Sequence, residues 1–194
     1  MLRSKLEFGF AKKMAIIASF FRDETYGLLG PQLAATIIQE QTPCECIVIA
    51  VTREDDKASI KNALADYFGK QRPIIGFSAL SGREDLFTLA RELRKEGAVT
   101  ILAGPQANVD FIGEQDWKNH PHRFKGLSAN FSFGVYGPAE QLIPLLNSPG
   151  GNERREIRGL LYVDADGNVR QNSPKDWDEK YFKKVCWDNI YVLG

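Results

Sequence analysis

Histidine and cysteine are scarce in this 194-residue chain, and their scarcity excludes several kinds of site. The three cysteines, Cys44, Cys46 and Cys186, are too few and odd in number for a disulfide framework, which indicates a cytoplasmic protein. The pair Cys44 and Cys46 could bind a metal. Alternate residues of a strand share one face, however, and no histidine is near, so we interpret these cysteines as buried free thiols. The two histidines, His120 and His122, flank a proline among charged residues, which favours an exposed loop over a metal site.

Net charge is also lacking, because 25 basic residues balance 25 acidic ones. This balance removes the electrostatic reason to expect nucleic acid or an anionic membrane as a partner. No apolar run approaches the roughly 20 residues that a membrane-spanning helix needs. The apolar stretch 14–21 follows two lysines, as in a secretion signal, but it is short and lacks a cleavage site. We therefore interpret it as a strand buried on both faces.

Several catalytic and nucleotide-binding motifs are missing. No G-x-G-x-x-G follows the first apolar run, and G-x-x-x-x-G-K-[ST] occurs nowhere. A receiver domain would need a phosphorylatable aspartate at the end of its third strand, where this chain has Phe77 and Ser78. Neither histidine belongs to a recognisable nucleophile motif. The sequence therefore predicts a domain that holds a ligand, without an independent catalytic centre.

What the chain does have is a regular alternation of short apolar runs and amphipathic segments. This alternation predicts a doubly wound α/β fold, Rossmann-like or flavodoxin-like, with a mostly parallel five-stranded sheet and helices on both faces. The predicted strands are 14–21, 46–51, 73–78, 98–104 and 131–137. The predicted helices begin near Pro31, after Asp55 and Asp56, at Ser81 or Gly82, and at Pro138, with Pro144 kinking or ending the last one early.

The pattern changes after residue 147. Residues 157–172 predict a β-hairpin that turns at Asp166 and Gly167, and the remaining tail is aromatic without clear periodicity. We therefore divide the chain into an N-terminal arm (1–13), an α/β domain (14–147), and a hairpin with a linker toward a further domain (148–194).

The unusual residues of the α/β segment all follow predicted strands. They are "RDETYG" (22–27), "SALSG" (78–82), "GPQAN" (104–108) and "YGPAE" (136–140). Ligands of doubly wound sheets bind beyond the carboxyl ends of the strands, and glycines or small hydroxyl residues let a ligand approach backbone amides. Each residue alone could be a turn or a helix cap. As an ordered set at consecutive strand ends, they favour a ligand site.

This ordered set resembles the cobalamin-binding domain, especially its form at the front of cobalamin-dependent radical S-adenosylmethionine enzymes. In that family the nucleotide tail of the cofactor passes a Ser-x-Leu segment, a Gly-Gly-Pro-like turn and a Gly-x-x-Glu turn. The matching segments here are 78–80, 103–105 and 137–140, and the hairpin is also similar, so that the resemblance covers roughly residues 14–172. It implies a cobalamin site formed by Arg22, Asp23, Thr25, Tyr26, Gly27, Ser78, Ala79, Leu80, Ser81, Gly104, Pro105, Gln106, Tyr136, Gly137, Pro138 and Glu140.

Two departures from related patterns refine what the resemblance implies. Cobalamin mutases have D-x-H-x-x-G after the first strand, but here Thr25 stands at the histidine position and Gly27 comes one residue early. Because a hydroxyl is a poor cobalt ligand, we expect the base of the cofactor to be displaced without a histidine replacing it. The three cysteines lack C-x-x-x-C-x-x-C spacing, so the four-iron cluster and S-adenosylmethionine are expected only in an absent C-terminal radical domain.

The full-length enzyme implied by the resemblance would use cobalamin for methyl transfer or related radical chemistry, with this chain as its cofactor-binding part. Two other interpretations remain open. The chain could be a degenerate domain that keeps the fold as a scaffold without bound corrin, or a binder of another flat or nucleotide-like ligand.

Overall fold

The computed structural model describes residues 12–20, 28–78, 83–104, 107, 130–147, 154–174, 176, 178–181 and 185–192. These residues form a mixed sheet of eight strands with helices on both faces. The strands are β1 (Lys13–Ser19), β2 (Glu45–Val51), β3 (Ile74–Ser78), β4 (Val99–Ala103), β5 (Phe133–Val135), β6 (Leu160–Val163), β7 (Val169–Gln171) and β8 (Ile190–Val192). The described helices are α1 (Leu29–Gln41), α2 (Lys57–Phe68), α3 (Glu84–Lys95) and α4 (Leu142–Asn147), with 3-10 turns at Ala139–Gln141 and Glu179–Tyr181.

The strand order across the sheet is β7-β6-β5-β4-β3-β1-β2-β8. Strands β1 to β5 run parallel to their neighbours in the order 2-1-3-4-5. The chain therefore leaves β1 toward one edge of the sheet and returns through β3 toward the other. This change of direction creates the switch point beside β1 and β3 at which doubly wound folds bind ligands.

The predicted five-stranded sheet is correct in class and incomplete in extent. The five predicted strands are present, although the first and last end earlier than predicted, at Ser19 and Val135. Strands β6 and β7 form the hairpin, and β6 pairs antiparallel with β5, so the hairpin extends the sheet. Strand β8, which the sequence did not predict, pairs parallel with β2 at the opposite edge.

The two faces of the sheet are covered by different helices, because alternate strand residues point to opposite sides. On one face Ala15 and Ile17 of β1 join the core cluster that contains the apolar residues of α2 and α3. On the other face Met14 and Ile16 join the cluster that contains the apolar residues of α1 and α4. Both faces are thus buried, which explains the continuous apolar runs of the central strands.

Local signals set several helix boundaries. Asp56 caps α2, because its Oδ1 accepts hydrogen bonds from the amides of Ala58 at 2.7 Å and Ser59 at 3.0 Å. Asp55 does not cap this helix; its Oδ2 accepts from the amide of Thr52 at 2.6 Å and thereby holds the turn after β2.

Three prolines lie at or near the beginnings of helices. Pro31 lies in the first turn of α1, as predicted, and Pro138 precedes the 3-10 turn that leads into α4. Pro144 lies within α4, which is only six residues long. Helix α3 begins at Glu84, after the predicted Ser81 or Gly82, and these two residues lie outside the described part of the chain. None of the helices in the described ranges combines the length and apolar character needed to cross a membrane.

Candidate functional site

The floor of the candidate site is a patch of small side chains at the carboxyl end of β3. Gly76 and Ser78 are two residues apart on this strand and therefore face the same side of the sheet. Ala18 of β1 and Ala103 of β4 lie beside Ser78 in the strand register. A Cβ atom on Gly76 would lie 3.1 Å from Cε of Met14, which is closer than ordinary contact. The absence of side-chain bulk on β3 thus leaves a depression between β1 and β4.

A cavity of about 390 Å³ lies between this floor and the beginning of α1. It is lined by Met14, Ile16, Gly76, Phe77, Ser78, Ile101, Ala103 and Val135 of the sheet, Gly30, Pro31, Leu33, Ala34 and Leu142 of the helices, and Gly104, Gly137 and Ala139 of the connections. Gly30 is exposed and Gly76 is buried, so the cavity runs from solvent beside α1 down to the sheet. Its position beside β1 and β3 is the switch point of the fold.

Two glycines at strand ends form part of the cavity wall. Gly104 follows β4 with a φ of 75°, and Gly137 follows β5 with a φ of 100°; side chains other than glycine rarely adopt such angles. A Cβ on Gly104 would also lie 2.7 Å from Oγ of Ser78. These turns therefore require glycine both for backbone conformation and, at Gly104, for space.

The turn at Gly137 is held from behind by a glutamine and by the hairpin. Nε2 of Gln141 donates hydrogen bonds to the carbonyl oxygens of Tyr136 at 2.8 Å and Pro138 at 3.1 Å. The amide of Tyr136 donates to the carbonyl of Gly159, which begins the hairpin. Gly159 has a φ of 68°, and a Cβ there would collide with Oε1 of Gln141 and the carbonyl of Tyr136. The hairpin thus fixes the backbone that lines the cavity.

Not all of the described site candidates line the cavity. Ser78, Gly104 and Gly137 do, whereas Tyr136 packs against the core cluster on the opposite face of the sheet. Glu140 is only 4% exposed, and its Oε1 accepts a hydrogen bond from the amide of Asp178 at 3.2 Å. Its Oε2 has no hydrogen-bond partner among the described residues. The structure therefore brings Glu140 to the C-terminal segment.

Pro138 is buried, its carbonyl accepts from Gln141, and it is not among the residues lining the cavity. The remaining candidates lie outside the described residues: Arg22, Asp23, Thr25, Tyr26, Gly27, Ala79, Leu80, Ser81, Pro105 and Gln106. They follow β1, β3 and β4, whose carboxyl ends adjoin in the parallel sheet.

Arg83 is a buried residue at the same edge of the sheet, and the sequence did not predict its role. Its side chain is 2% exposed and lies beside the carboxyl ends of β1 and β2. Nη1 donates to Oγ of Ser19 at 2.9 Å, and Nη2 donates to the carbonyl of Thr52 at 3.0 Å. Nε and Nη2 also pair with the carboxylate of Asp85, at 2.9 and 2.7 Å respectively. Arg83 therefore ties the start of α3 to two strand ends.

The contact with Arg83 also changes the pKa of the Asp85 carboxyl group. Hydrogen bonding and charge attraction from Arg83 lower the pKa of the Asp85 carboxyl, with the start of α3 contributing backbone hydrogen bonds. The sequence signal that could have found this pair is an arginine two residues before an aspartate at a helix start. The partners Ser19 and Thr52 were not foreseeable, because they lie 64 and 31 residues away along the chain.

The cysteines lie away from this edge of the sheet. Cys44 precedes β2 and Cys46 is its second residue, so both are near the amino end of that strand. Both are buried, as predicted. Burial raises the pKa of the Cys44 thiol to about 11 and that of Cys46 well above its ordinary value, so both are protonated at neutral pH. Within the described ranges, no cluster of three or more histidine, cysteine and acidic residues could hold a metal.

No protein-family model matches this sequence, and no curated protein matches it either. Solved structures do match in three dimensions. The fold is shared with OxsB.

OxsB is a cobalamin-dependent S-adenosylmethionine radical enzyme, and two of its structures match this chain. With aqua-cobalamin and S-adenosylmethionine bound, OxsB matches with a TM-score of 0.60 and 15% identity over 86% of this chain. With aqua-cobalamin alone, it matches with a TM-score of 0.61 and 16% identity over 88% of this chain. The chain spans 23% of the length of OxsB. At this level of identity the similarity shows a common fold.

Proposed function

We propose that this chain is a cobalamin-binding domain that serves a radical S-adenosylmethionine enzyme. The observation that carries the proposal is the cavity at the switch point between β1 and β3, in a chain that shares the fold of cobalamin-bound OxsB. A volume of about 390 Å³ falls within the range of roughly 300–1,000 Å³ typical of small-molecule pockets. The cavity is lined by both sheet and helix, and its lining is mostly apolar, which suits the base of the cofactor's nucleotide tail.

The described residues would hold the tail in two ways. Gly76 leaves room for a flat ring against the sheet, and the apolar side chains around it would exclude water from that ring. At the cavity rim the Ser78 hydroxyl and the backbone near Gly104 and Gly137 would contact the polar part of the tail. The site candidates in 22–27, 79–81 and 105–106 would complete the surface under the corrin. Bound cobalamin would supply the cobalt centre that accepts and donates a methyl group.

In this proposal the residues that line the cavity would hold the base of cobalamin away from cobalt, and no histidine of this chain would take its place. Thr25 stands where a histidine ligand would be expected, and the chain's two histidines are in the segment 120–122. Electron paramagnetic resonance of the reduced, cobalt(II) complex tests this point. We expect no nitrogen hyperfine splitting from an axial ligand. A nitrogen splitting would contradict the proposed coordination, and its loss in His120→Ala or His122→Ala would identify the ligand.

Binding itself is tested by incubating the protein with hydroxocobalamin, desalting it and recording the visible spectrum of the protein fraction. We expect the corrin to elute with the protein. A colourless protein fraction at micromolar concentrations would contradict the proposal and would favour a scaffold that has kept the fold without the cofactor.

A matched pair of variants at Gly30 locates the site. A Cβ on Gly30 meets no atom within 4 Å, so a larger side chain there would not disturb the fold, and it would improve helix propensity. Gly30→Leu places a bulky group beside the cavity opening, and we expect it to weaken cobalamin retention at least tenfold, roughly the effect of 1.4 kcal/mol. Gly30→Ala should retain cobalamin. Equal retention by both variants would place the cofactor elsewhere.

A further inference from the structure

The interior of the cavity is lined mainly by hydrocarbon side chains. Its deeper walls are formed by Met14 and Ile16 of β1, Ile101 of β4, Val135 of β5 and Leu33 of α1. These side chains carry no group that could donate or accept a conventional hydrogen bond. A ring that enters this part of the cavity therefore meets hydrocarbon on the sheet side and on the helix side.

Among the described lining residues, the only polar side chain is that of Ser78. It stands at the carboxyl end of β3, close to Gly104, and is therefore at the rim. Gln32 is a fully buried polar residue of α1, but it is not among the residues that line the cavity although its neighbours Pro31 and Leu33 are. The deep part of the cavity thus has no described side chain that could satisfy the nitrogen atoms of a purine.

From this lining we infer that the cavity selects cobamides by the polarity of their lower base, preferring benzimidazole-type or phenolic bases to purines. This inference rests on the proposed cobalamin function and adds a ligand preference to it. The dimethylated edge of the cobalamin base presents hydrocarbon to the apolar walls. Deep in the cavity, adenine would bury an amino group and ring nitrogens with no described polar side chain to pair with them, and each unsatisfied polar group weakens binding. We expect adenine-containing cobamide to bind roughly tenfold to a hundredfold more weakly than cobalamin.

The test measures the affinity of the unmodified protein for four purified corrinoids by fluorescence quenching or spectral titration. They are cobalamin, the cobamide with p-cresol as base, the cobamide with adenine, and cobinamide, which lacks the nucleotide tail. We expect cobalamin and the p-cresol cobamide to bind best, and the adenine cobamide and cobinamide to bind more weakly. The p-cresol compound has no base nitrogen for cobalt, so tight binding would reflect the cavity and not release of the base from cobalt.

The possible results separate this inference from the proposed function. Equal affinity for cobalamin and the adenine cobamide would overturn the base preference while leaving cobalamin binding intact. Equal affinity for all four compounds would also overturn it, because the base would then not enter the cavity. Failure of all four to bind would overturn the proposed function itself, and the preference with it.

Variants at Leu33 provide a matched comparison. Leu33→Gln and Leu33→Met introduce unbranched side chains of similar length, both compatible with α1, and only glutamine adds an amide. We expect Leu33→Gln to reduce the preference for cobalamin over the adenine cobamide severalfold and Leu33→Met to preserve it. An unchanged preference in Leu33→Gln, with the fold verified by circular dichroism, would contradict the role of wall polarity. If Leu33→Gln does not fold, the four-corrinoid comparison with the unmodified protein decides the question.

Discussion

Replacing the buried guanidinium of Arg83, which directly precedes α3, should destabilise the protein far more than replacing an exposed arginine within that helix. In Arg83→Met the carbonyl of Thr52 loses the Nη2 hydrogen bond, and Oγ of Ser19 loses its partner on Nη1. The carbonyl of Val51, which Nη1 also contacts at 3.4 Å, keeps the amide of Phe20 as a donor at 3.0 Å. The loss is therefore concentrated on Thr52 and Ser19.

The magnitude follows from the exposure of each partner. A buried acceptor left without a donor costs about 1–3 kcal/mol. Removing one partner of a fully buried ion pair costs about 3–5 kcal/mol, but the Asp85 side chain is 55% exposed and regains water. We therefore expect Arg83→Met to lower the free energy of unfolding by about 2–4 kcal/mol. Arg91→Met, at an exposed position of α3, makes the same chemical change and should alter it by no more than about 0.5 kcal/mol.

Urea unfolding monitored by circular dichroism measures both variants against the unmodified protein. The same experiment on Asp85→Ala and on the double variant gives the coupling energy, which we expect to reach about 0.5–3 kcal/mol for groups in direct contact. An Arg83→Met protein as stable as Arg91→Met would refute the reasoning, because the guanidinium would then be replaceable by hydrocarbon. An absence of coupling would show that Asp85 acts only through its place in the first turn of α3.

Three further predictions concern pH, a turn and the thiols. Because the folded-state pKa of Asp85 is lowered, its contribution to stability is present above about pH 4 and is lost as the pH falls below that value. Asp85→Asn should therefore flatten the acid limb of a curve of unfolding free energy against pH, and an unchanged acid limb would contradict this. Gly159→Ala should lower the unfolding free energy by more than about 2 kcal/mol in a urea titration, because backbone strain and a steric collision coincide there. Gly167 has a φ of 81°, but a Cβ there would meet no atom within 4 Å, so Gly167→Ala should cost only about 1 kcal/mol. Equal losses in the two variants would show that the collision does not contribute. Cys46 should resist alkylation in the native protein at pH 8 and react on unfolding, because burial raises the pKa of its thiol. Peptide mapping by mass spectrometry should show that the less buried Cys186 reacts first. Early labelling of Cys46 would contradict this and would indicate that the amino end of β2 opens readily.

The central part of the fold could be predicted from the sequence because it depends on local patterns. Strands buried on both faces require continuous apolar runs, and β2, β3 and β4 lie within one or two residues of their predicted bounds. The hairpin turn was equally accessible, because Asp166 and Gly167 carry a strong turn signal.

Elements that depend on distant partners could not be predicted in this way. The three residues of β8 are partly exposed and form a strand only because the edge of β2 offers them hydrogen bonds. Arg83 appears in the sequence as one charged residue among several, since its acceptors come from two strand ends far away in the chain. Glu140 belongs to a motif that suggests a ligand contact, yet its carboxylate accepts from a backbone amide 38 residues further on.

The candidate site was predictable at the level of the sheet edge and the residues that shape its backbone. Ser78, Gly104 and Gly137 were among the predicted site residues, because small residues at strand ends let a ligand approach the backbone. Gly76, which lies within β3, was not predicted as a site residue. The helical wall of the cavity was not predicted, because Gly30 and its neighbours in α1 read as an ordinary helix start. The strand register also decides which strand-end residues face the cavity, because successive side chains point to opposite faces of the sheet. Tyr136, for example, packs on the face opposite the cavity.

The pairing of β8 with β2 has a consequence for how the domain is made. Strand β2 is complete once residue 51 has been synthesised, but the strand that covers its outer edge consists of residues 190–192. During translation that edge must wait, with unpaired amides and carbonyls, until residues 190–192 have been synthesised. A recombinant fragment ended at the hairpin would keep this edge bare permanently and would invite association between copies. Expression boundaries for this domain should therefore be placed beyond residue 192.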